Sequence, residues 1–334
     1  MDLERTPGHD SAVYLENDRL STITVDSDVF AYPEEYGRTY HSLQFEEANH
    51  PFPNDEEAQD LERERHQIYL DLHDDKLYLA PLREPQDVLD LGTGTAEWAI
   101  AFADKNPQAT IIAVDISPIQ TTWVPPNLLC QVLDIERTWD FNRLFHYIHV
   151  RDVNCSIYRP EILVGQAFQH LHPEGWFEIQ EPISLDMQNI SPSSGYLTEW
   201  LVNFNGAVRH TGRDPDLARK YEDIMMKQGF VRVKTVIKHL PLGWWPLDPK
   251  LKKLGASGLR NFLNGLEGFS LRLFTQTLGW TRGELEVLLG HVRTELKDMK
   301  AQRYMPIYTV IGQKPSEAAV GDSVLEWLHD LRDL

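Results

Sequence analysis

The 334-residue chain contains only two cysteines, Cys130 and Cys155, and no Cys-x-x-Cys pair. This scarcity excludes a disulfide framework and a cysteine-based metal centre, and it favours a reducing compartment. No apolar run approaches the roughly 20 residues that a membrane-spanning helix needs. The N-terminus also lacks the basic start and apolar stretch of a secretory signal. We therefore expect a soluble, cytoplasmic protein that has no membrane partner.

Positive charge is scarce as well. The chain has 32 Lys and Arg against 51 Asp and Glu, which gives a formal net charge of −19. Such a surface repels a phosphate backbone, so we expect no nucleic-acid partner. A solvated acidic surface accounts for the charge, and a small molecule or a basic protein remains compatible with it. We predict no metal site from the sequence.

The most informative stretch is 87–98, where an apolar run ends in a glycine-rich turn that opens a helical pattern. Val88, Leu89 and Leu91 predict a buried parallel strand. Gly92 and Gly94 permit positive φ and a close approach of the backbone to a ligand, while the next helix presents unpaired N–H groups to an anion. The stretch therefore predicts a nucleotide-cofactor loop.

A second predicted strand starts at Thr110 and ends at Asp115, so that Asp90 and Asp115 lie at the carboxyl ends of two strands. Asp115 follows the loop at about the separation expected of a ribose-binding acid. An acid there accepts both ribose hydroxyls, whereas ordinary helix capping is the structural alternative. We predict that Asp115 binds a ribose.

Apolar runs alternate with helical patterns through the middle of the chain. The predicted strands are 88–91, 110–115, 128–133, 145–150 and 176–180, with helices at 96–106 and 160–171. This alternation predicts an α/β fold of the Rossmann-like, doubly wound type, in which ligands bind beyond the carboxyl ends of the strands.

The flanking regions are predicted to add helices and a tail. Residues 1–35 are acidic with little apolar periodicity, which predicts a mobile arm. The other additions are an N-terminal helical cap over 61–82, a helix over 214–227 that ends at Gly229, a strand over 230–240, a helical insert over 241–280 that serves as a substrate lid, a helix from the Thr281–Glu284 capping box, a last strand over 304–312, and a tail over 315–334 with a short amphipathic helix.

The order of these motifs resembles class I S-adenosylmethionine-dependent methyltransferases, and more closely the LaeA-like group of fungi, over about residues 36–314. The stretches that carry the resemblance are 37–41 (GRTYH), 53–57 (PNDEE), 76–81 (KLYLAP), 88–95 (VLDLGTGT), 115–120 (DISPIQ), 123–127 (WVPPN), 175–181 (GWFEIQE), 278–280 (LGW) and 312–315 (GQKP). Together they are far more specific than the glycine loop alone.

The resemblance implies S-adenosylmethionine as the cofactor. It implies contacts from Tyr40, Asp90, Gly92, Thr93, Gly94, Asp115, Ile116, Asp134, Ile135, Val150 and Arg151. The glycine loop would hold the methionine part, Asp115 the ribose, and Ile116, Asp134 and Ile135 the adenine. Val150 and Arg151 would approach the methionine amino group. Arg38 and Tyr40 would close over the cofactor, or form a structural pair.

The chain departs from the pattern of this group at three positions. Ala96 stands where a third glycine is common, Glu97 where a small aliphatic residue is common, and His146 where an Asp is common. We expect Ala96 to be tolerated because a helical φ suits alanine. We expect Glu97 to point outward or to pair with the cofactor's ammonium, and His146 to be a local structural change.

Methyl transfer from a sulfonium is an in-line displacement that requires alignment more than acid–base help, so a catalytic base is optional. The candidates by strand order are His149, Glu181, His210 and His239. Structural histidines and a salt bridge between Glu181 and Arg151 account for them equally well.

The main hypothesis is a methyltransferase that acts on a small molecule of fungal secondary metabolism. One alternative is a LaeA-like nuclear regulator that contacts velvet-type protein partners through the acidic arm or the tail helix. Another alternative keeps the cofactor but uses it to assist a ring-forming, pericyclase-like reaction.

Overall fold

The computed structural model describes residues 27–42, 50–183 and 195–316. The helices are Glu56–Leu72 (α1), Glu97–Lys105 (α2), Pro160–His170 (α3), Tyr196–His210 (α4), Tyr221–Gln228 (α5), Pro249–Arg272 (α6) and Arg282–Leu296 (α7). The strands are Glu34–Glu35 (β1), Arg38–Thr39 (β2), Asp87–Leu91 (β3), Thr110–Asp115 (β4), Leu128–Val132 (β5), Phe145–Arg151 (β6), Leu171–Pro182 (β7), Val231–Pro241 (β8) and Tyr304–Gln313 (β9).

Seven of the described strands form one sheet in the order β5-β4-β3-β6-β7-β9-β8. The first five run parallel, while β9 lies antiparallel between β7 and β8. The order reverses beside β3, which places the carboxyl ends of β3, β4 and β6 next to one another. This arrangement confirms the predicted doubly wound α/β fold, and it creates the crevice where ligands bind in such sheets.

The apolar residues of β3, Val88, Leu89 and Leu91, are all fully buried because the sheet is covered on both faces. Leu89 and Leu91 belong to the core beneath α3, whereas Val88 packs on the other face with Trp98 and Phe102 of α2. A third apolar cluster joins α4, α6 and α7. Because its side chains alternate between the two faces of the sheet, β3 packs into both cores. This packing holds the turn after Leu91 in place.

Several predicted boundaries were wrong. The cap helix α1 begins after Asp55, whose side chain accepts the Ala58 N–H, and it ends at Leu72 rather than continuing to 82. The helix predicted over 214–227 is split into a short 3-10 turn and α5, and β7 starts at Leu171. By contrast, the Thr281–Glu284 capping box and the left-handed Gly229 after α5 are confirmed.

The ends of the chain differ from the prediction where they are described. Residues 27–35 hold a 3-10 turn and β1, and Glu35 pairs with Arg272 of α6 at 2.6 Å. This part of the predicted mobile arm is therefore bound to the domain. Residues 1–26 and the tail helix predicted within 317–334 lie outside the described residues. Within the described ranges, none of the helices is long and apolar enough to cross a membrane.

The turn after β3 is left-handed at three positions. Gly92 has φ +66° and Gly94 has φ +54°, as the glycine pattern predicts. Ala96 also has a positive φ, +69°, at the N-cap of α2. The expectation of a helical φ at Ala96 was therefore wrong. Ala96 stands where the family commonly has a third glycine, and it has the backbone conformation that normally favours glycine.

This conformation predicts that Ala96→Gly is tolerated. Removing its buried methyl costs about 0.8 kcal/mol, but relief of the left-handed strain returns about 1 kcal/mol, so the free energy of unfolding should change by less than about 1 kcal/mol. Ala99, equally buried but within α2, is the matched control. Ala99→Gly should cost about 2 kcal/mol, because helix propensity and burial are both lost. Equal losses in urea unfolding would contradict a strained Ala96.

Candidate functional site

A cavity opens at the carboxyl ends of β3, β4 and β6, and α1 and α6 cover it. Its wall contains the glycine turn and the acids that follow the strands. The residues that line it include Glu62, Asp90, Gly92, Thr93, Gly94, Asp115, Ile116, Asp134, Ile135, His149 and Arg151. The amide side chain of Asn261 on α6 donates to the Leu61 carbonyl of α1 at 2.9 Å, which joins the two covering helices.

Asp115 is held by the backbone of the glycine turn. The Gly94 N–H donates to its Oδ2 at 2.8 Å, and the Ser117 N–H donates to its Oδ1 at 3.0 Å. Burial raises the pKa of this carboxyl to about 6, and the charge of Asp90 also raises it. Because a carboxylate has about four acceptor positions, an ionised Asp115 retains acceptor capacity toward the cavity.

Asp90 organises the floor of the cavity. Its Oδ2 accepts the Thr93 hydroxyl at 2.6 Å, and its Oδ1 lies 2.7 Å from Nδ1 of His149. The imidazole of His149 stacks on Trp98, with ring centroids 3.7 Å apart. Nδ1 must donate to the carboxylate, and Nε2 has no hydrogen-bond partner among the described residues. His149 therefore links Asp90 to α2.

Glu62 projects from α1 toward the glycine turn, which sequence reasoning did not anticipate. Its Oε2 accepts the Thr95 N–H at 3.2 Å, and a Cβ on Gly94 would collide with the same carboxylate. Burial raises the pKa of Glu62 to about 7, whereas Arg65 opposes this shift. The cavity thus contains a carboxyl that ionises near neutral pH, close to a helix N-terminus.

The predicted adenine-side residues lie together. Asp134, Ile135 and Ile116 all line the cavity. Asp134 Oδ1 accepts the Glu136 N–H at 2.9 Å, and its Oδ2 lies 3.4 Å from Nε of Arg137. Both oxygens are therefore engaged, which fixes the carboxylate at the end of β5.

Other predicted cofactor contacts are placed differently. The side chain of Val150 is fully buried in the core beneath α3 rather than in the cavity wall. Tyr40 lies behind the wall, with the Arg272 guanidinium 3.7 Å from its ring centre. Arg38 does line the cavity, but its guanidinium pairs with both oxygens of Asp55 at 2.5 and 2.8 Å. Alternation along β6 explains Val150, since Arg151 on the opposite face lines the cavity.

Of the candidate bases, only His149 lies in the cavity wall. Glu181 is buried and accepts the Val153 N–H at 2.9 Å, which stabilises the turn after β6. His210 is exposed at the end of α4, and His239 is exposed on β8 against Tyr304. Strand order alone therefore predicted the wrong positions for Glu181, His210 and His239.

Glu97 lines the edge of the cavity, and its Oε1 lies 3.8 Å from Nε of Arg63.

Sequence reasoning missed a histidine pair. The ring centroids of His41 and His50 lie 4.3 Å apart in the cavity wall. His41 Nδ1 is 2.7 Å from Ser117 Oγ, and His50 Nε2 is 2.6 Å from Ser156 Oγ. Burial lowers the pKa of His41 to about 3 and that of His50 well below its usual value. Both rings are therefore neutral at physiological pH.

The helical insert contributes the remaining wall. Gly265, Gly268 and Phe269 of α6 line the cavity, and the ring of Phe269 packs edge-on against Phe52 with centroids 5.7 Å apart. The small residues at i and i+3 lie on one face of α6, and this spacing is the signal that would have located the contact.

The sheet order and the glycine turn define a Rossmann-like α/β domain, a fold in which ligands bind beyond the carboxyl ends of the strands. A methyltransferase-domain family matches residues 63–235. The methyltransferase pytC of Aspergillus terreus is 34% identical over 306 residues, covering 90% of this chain and 93% of pytC. The probable methyltransferase tdiE of Emericella nidulans is 37% identical over 274 residues, covering 80% of this chain and 85% of tdiE.

A more distant relative is the secondary metabolism regulator LAE1 of Cochliobolus heterostrophus, 27% identical over 296 residues, which cover 85% of this chain and 95% of LAE1. The chain belongs to the methyltransferase-domain family, within its LaeA-like group.

The raised pKa of Glu62 predicts a pH-dependent stability. A folded-state pKa near 7, above the ordinary 4.5, means that ionisation of Glu62 costs stability as pH rises through this interval. Glu62→Gln removes the cost. Without added ligand, the variant should be more stable than the parent at pH 8, by about 1–3 kcal/mol, and the difference should vanish near pH 4.5. Thermal unfolding at several pH values tests this, and a pH-independent difference would contradict a buried, titrating Glu62.

Proposed function

We propose that this protein transfers a methyl group from S-adenosylmethionine to a small molecule of fungal secondary metabolism. The observation that carries the proposal is the carboxylate of Asp115, held by the Gly94 and Ser117 N–H groups at a cavity beyond the strand ends. The similarity to pytC and tdiE supports the reaction class.

The residues of the cavity fit this cofactor. Gly92 lines the cavity with φ +66°, and a Cβ there would lie 2.6 Å from Cγ1 of Val153, so this position requires glycine. Asp115 would accept the ribose hydroxyls, while Ile116, Asp134 and Ile135 would hold the adenine. The backbone of Gly92, Thr93 and Gly94, oriented by Asp90, would hold the methionine part, as proposed from the family pattern.

The charges near the turn suit the methionine part. Glu62, which ionises near neutral pH, can pair as a carboxylate with the cofactor's ammonium, and Arg151 is a cation in the cavity wall available to its carboxylate. Arg151 is itself positioned by His66, 3.2 Å from its Nη2, and by the face of Tyr69. We assign Arg151 to the carboxylate rather than to the amino group, because opposite charges attract.

S-adenosylmethionine supplies a methyl group that its sulfonium has already activated. Catalysis therefore depends mainly on aligning the acceptor atom with the methyl carbon. The chain's own contribution is to exclude water with α1, α6 and Phe269, and to orient the acceptor. His41 is neutral and lies in the wall, so it can accept a hydrogen bond from an acceptor hydroxyl. We place His149 as a positioning residue, because its Nδ1 is engaged by Asp90.

Two other activities remain alternatives. The similarity to the secondary metabolism regulator LAE1 supports a regulator of secondary metabolism. The family resemblance implies that such a regulator would act with velvet-type protein partners in the nucleus. A ring-forming reaction would use the same cavity as the methyl transfer. We propose the small-molecule enzyme because the cavity beneath α1 and α6 is lined by a neutral histidine pair and by an aromatic pair that includes Phe269 of α6. Such a covered site suits a small acceptor better than a protein side chain.

Calorimetric titration with S-adenosylhomocysteine tests the cofactor site. Asp115→Ala should weaken binding at least tenfold, because hydrogen bonds to a charged group are worth about 1.5–3 kcal/mol each. Asp104→Ala, an exposed acid on α2, is the matched control and should bind like the parent. Unchanged affinity in a folded Asp115→Ala variant would mean that the ribose lies elsewhere.

Untargeted metabolite profiling after deletion of the gene in its native host tests the function itself. We expect loss of one product and accumulation of its precursor without the methyl group. Broad changes across unrelated pathways would contradict a dedicated enzyme and favour the regulator. Accumulation of an uncyclised precursor of equal mass would favour the ring-forming reaction.

A further inference from the structure

Three side chains of the types that bind metals meet at the amino ends of the strands, opposite the cavity. Asp87 begins β3, His146 is the second residue of β6, and His172 is the second residue of β7. One ligand atom from each residue lies within 4.8 Å of the others, and all three side chains are half-buried. No step of the proposed methyl transfer uses them.

The sheet itself produces this arrangement. Val88 pairs with Tyr147 and Phe145 pairs with Leu171, so the three residues stand beside paired positions on neighbouring parallel strands. Adjacent strands lie about 4.8 Å apart, so residues beside paired positions are close enough for their side chains to meet. The pairing of β6 with β7 shifts between Phe145 and Tyr147, whose partners are Leu171 and Trp176, so His172 lies in an irregular part of β7 next to His146.

The hydrogen bonds orient the carboxylate toward the imidazoles. Arg143 Nη1 lies 3.1 Å from Asp87 Oδ1, while Oδ2 lies 3.8 Å from His146 Nδ1. The rings of His146 and His172 have centroids 4.4 Å apart. A bound ion would take the Nδ1 lone pair of His146 that now accepts the Asp87 N–H at 3.2 Å.

We propose that Asp87, His146 and His172 bind a zinc ion. Two imidazoles and one carboxylate form a ligand set that Zn²⁺ accepts, and water completes the four-coordinate site. The ion would join the amino ends of β3, β6 and β7. Because the cofactor cavity lies at the opposite ends of these strands, we assign the ion a structural role. The proposal differs from the expectation from sequence that the chain has no metal site.

Calorimetric titration of the full chain with zinc chloride, after removal of metals with a chelator, tests the proposal. We expect one ion per chain with a dissociation constant of about 10 µM or tighter. His146→Ala and His172→Ala should each weaken binding at least tenfold. His210→Ala, which removes an exposed histidine distant from this edge, should leave it unchanged. Saturating zinc should also raise the melting temperature of the parent by several degrees.

Circular dichroism shows whether the variants fold, and His172→Gln provides a second, conservative substitution if His172→Ala does not. Retained binding in a folded His146→Ala, His172→Gln double variant would overturn the proposal, as would parent binding weaker than about 1 mM. The cobalt-substituted parent should show a visible absorption band that the double variant lacks, and equal spectra would also overturn it. S-adenosylhomocysteine binding by the double variant should match that of the parent, so this site and the cofactor site are tested separately.

Discussion

The site depends on one constraint, the capture of the Asp115 carboxylate by backbone N–H groups of the glycine turn and of Ser117. The Gly94 donor belongs to a turn in which Gly92, Gly94 and Ala96 are all left-handed, and the Ser117 donor belongs to the loop after β4. Strand β3, which is buried on both faces, holds this turn in place. The burial of β3 therefore determines where the carboxylate of Asp115 lies in the cavity.

Close approach of carboxyls gives the cavity its electrostatic character. Asp90, Asp115 and Glu62 surround the turn. Burial raises the pKa values of Asp115 and Glu62, and the charge of Asp90 raises that of Asp115 further, as the charge of Asp115 does for Glu62. Thr93 and His149 engage Asp90, and Arg65 opposes the shift at Glu62. A cationic ligand near the turn would relieve the repulsion that remains, which is the property that a sulfonium cofactor requires of its site.

Sequence reasoning succeeded where local pattern and burial coincide. The strand ends, Asp90, Asp115 and the glycines follow from apolar runs that stop at an acid. It failed for Glu62, His41 and His50, because separate segments bring these residues to the turn and only tertiary packing determines that approach. The positive φ of Ala96 also escaped prediction, since a helical pattern does not reveal its own N-cap conformation. His210 was misplaced because α4 turns it toward solvent.

A crystal structure of the protein with S-adenosylhomocysteine tests the central claim most directly. The account predicts that both ribose hydroxyls lie within hydrogen-bond distance of Asp115, that the amino group lies near Glu62, and that the sulfur faces the space between His41 and Phe269. A ligand whose ribose contacts other residues, or whose sulfur faces solvent away from α6, would contradict it.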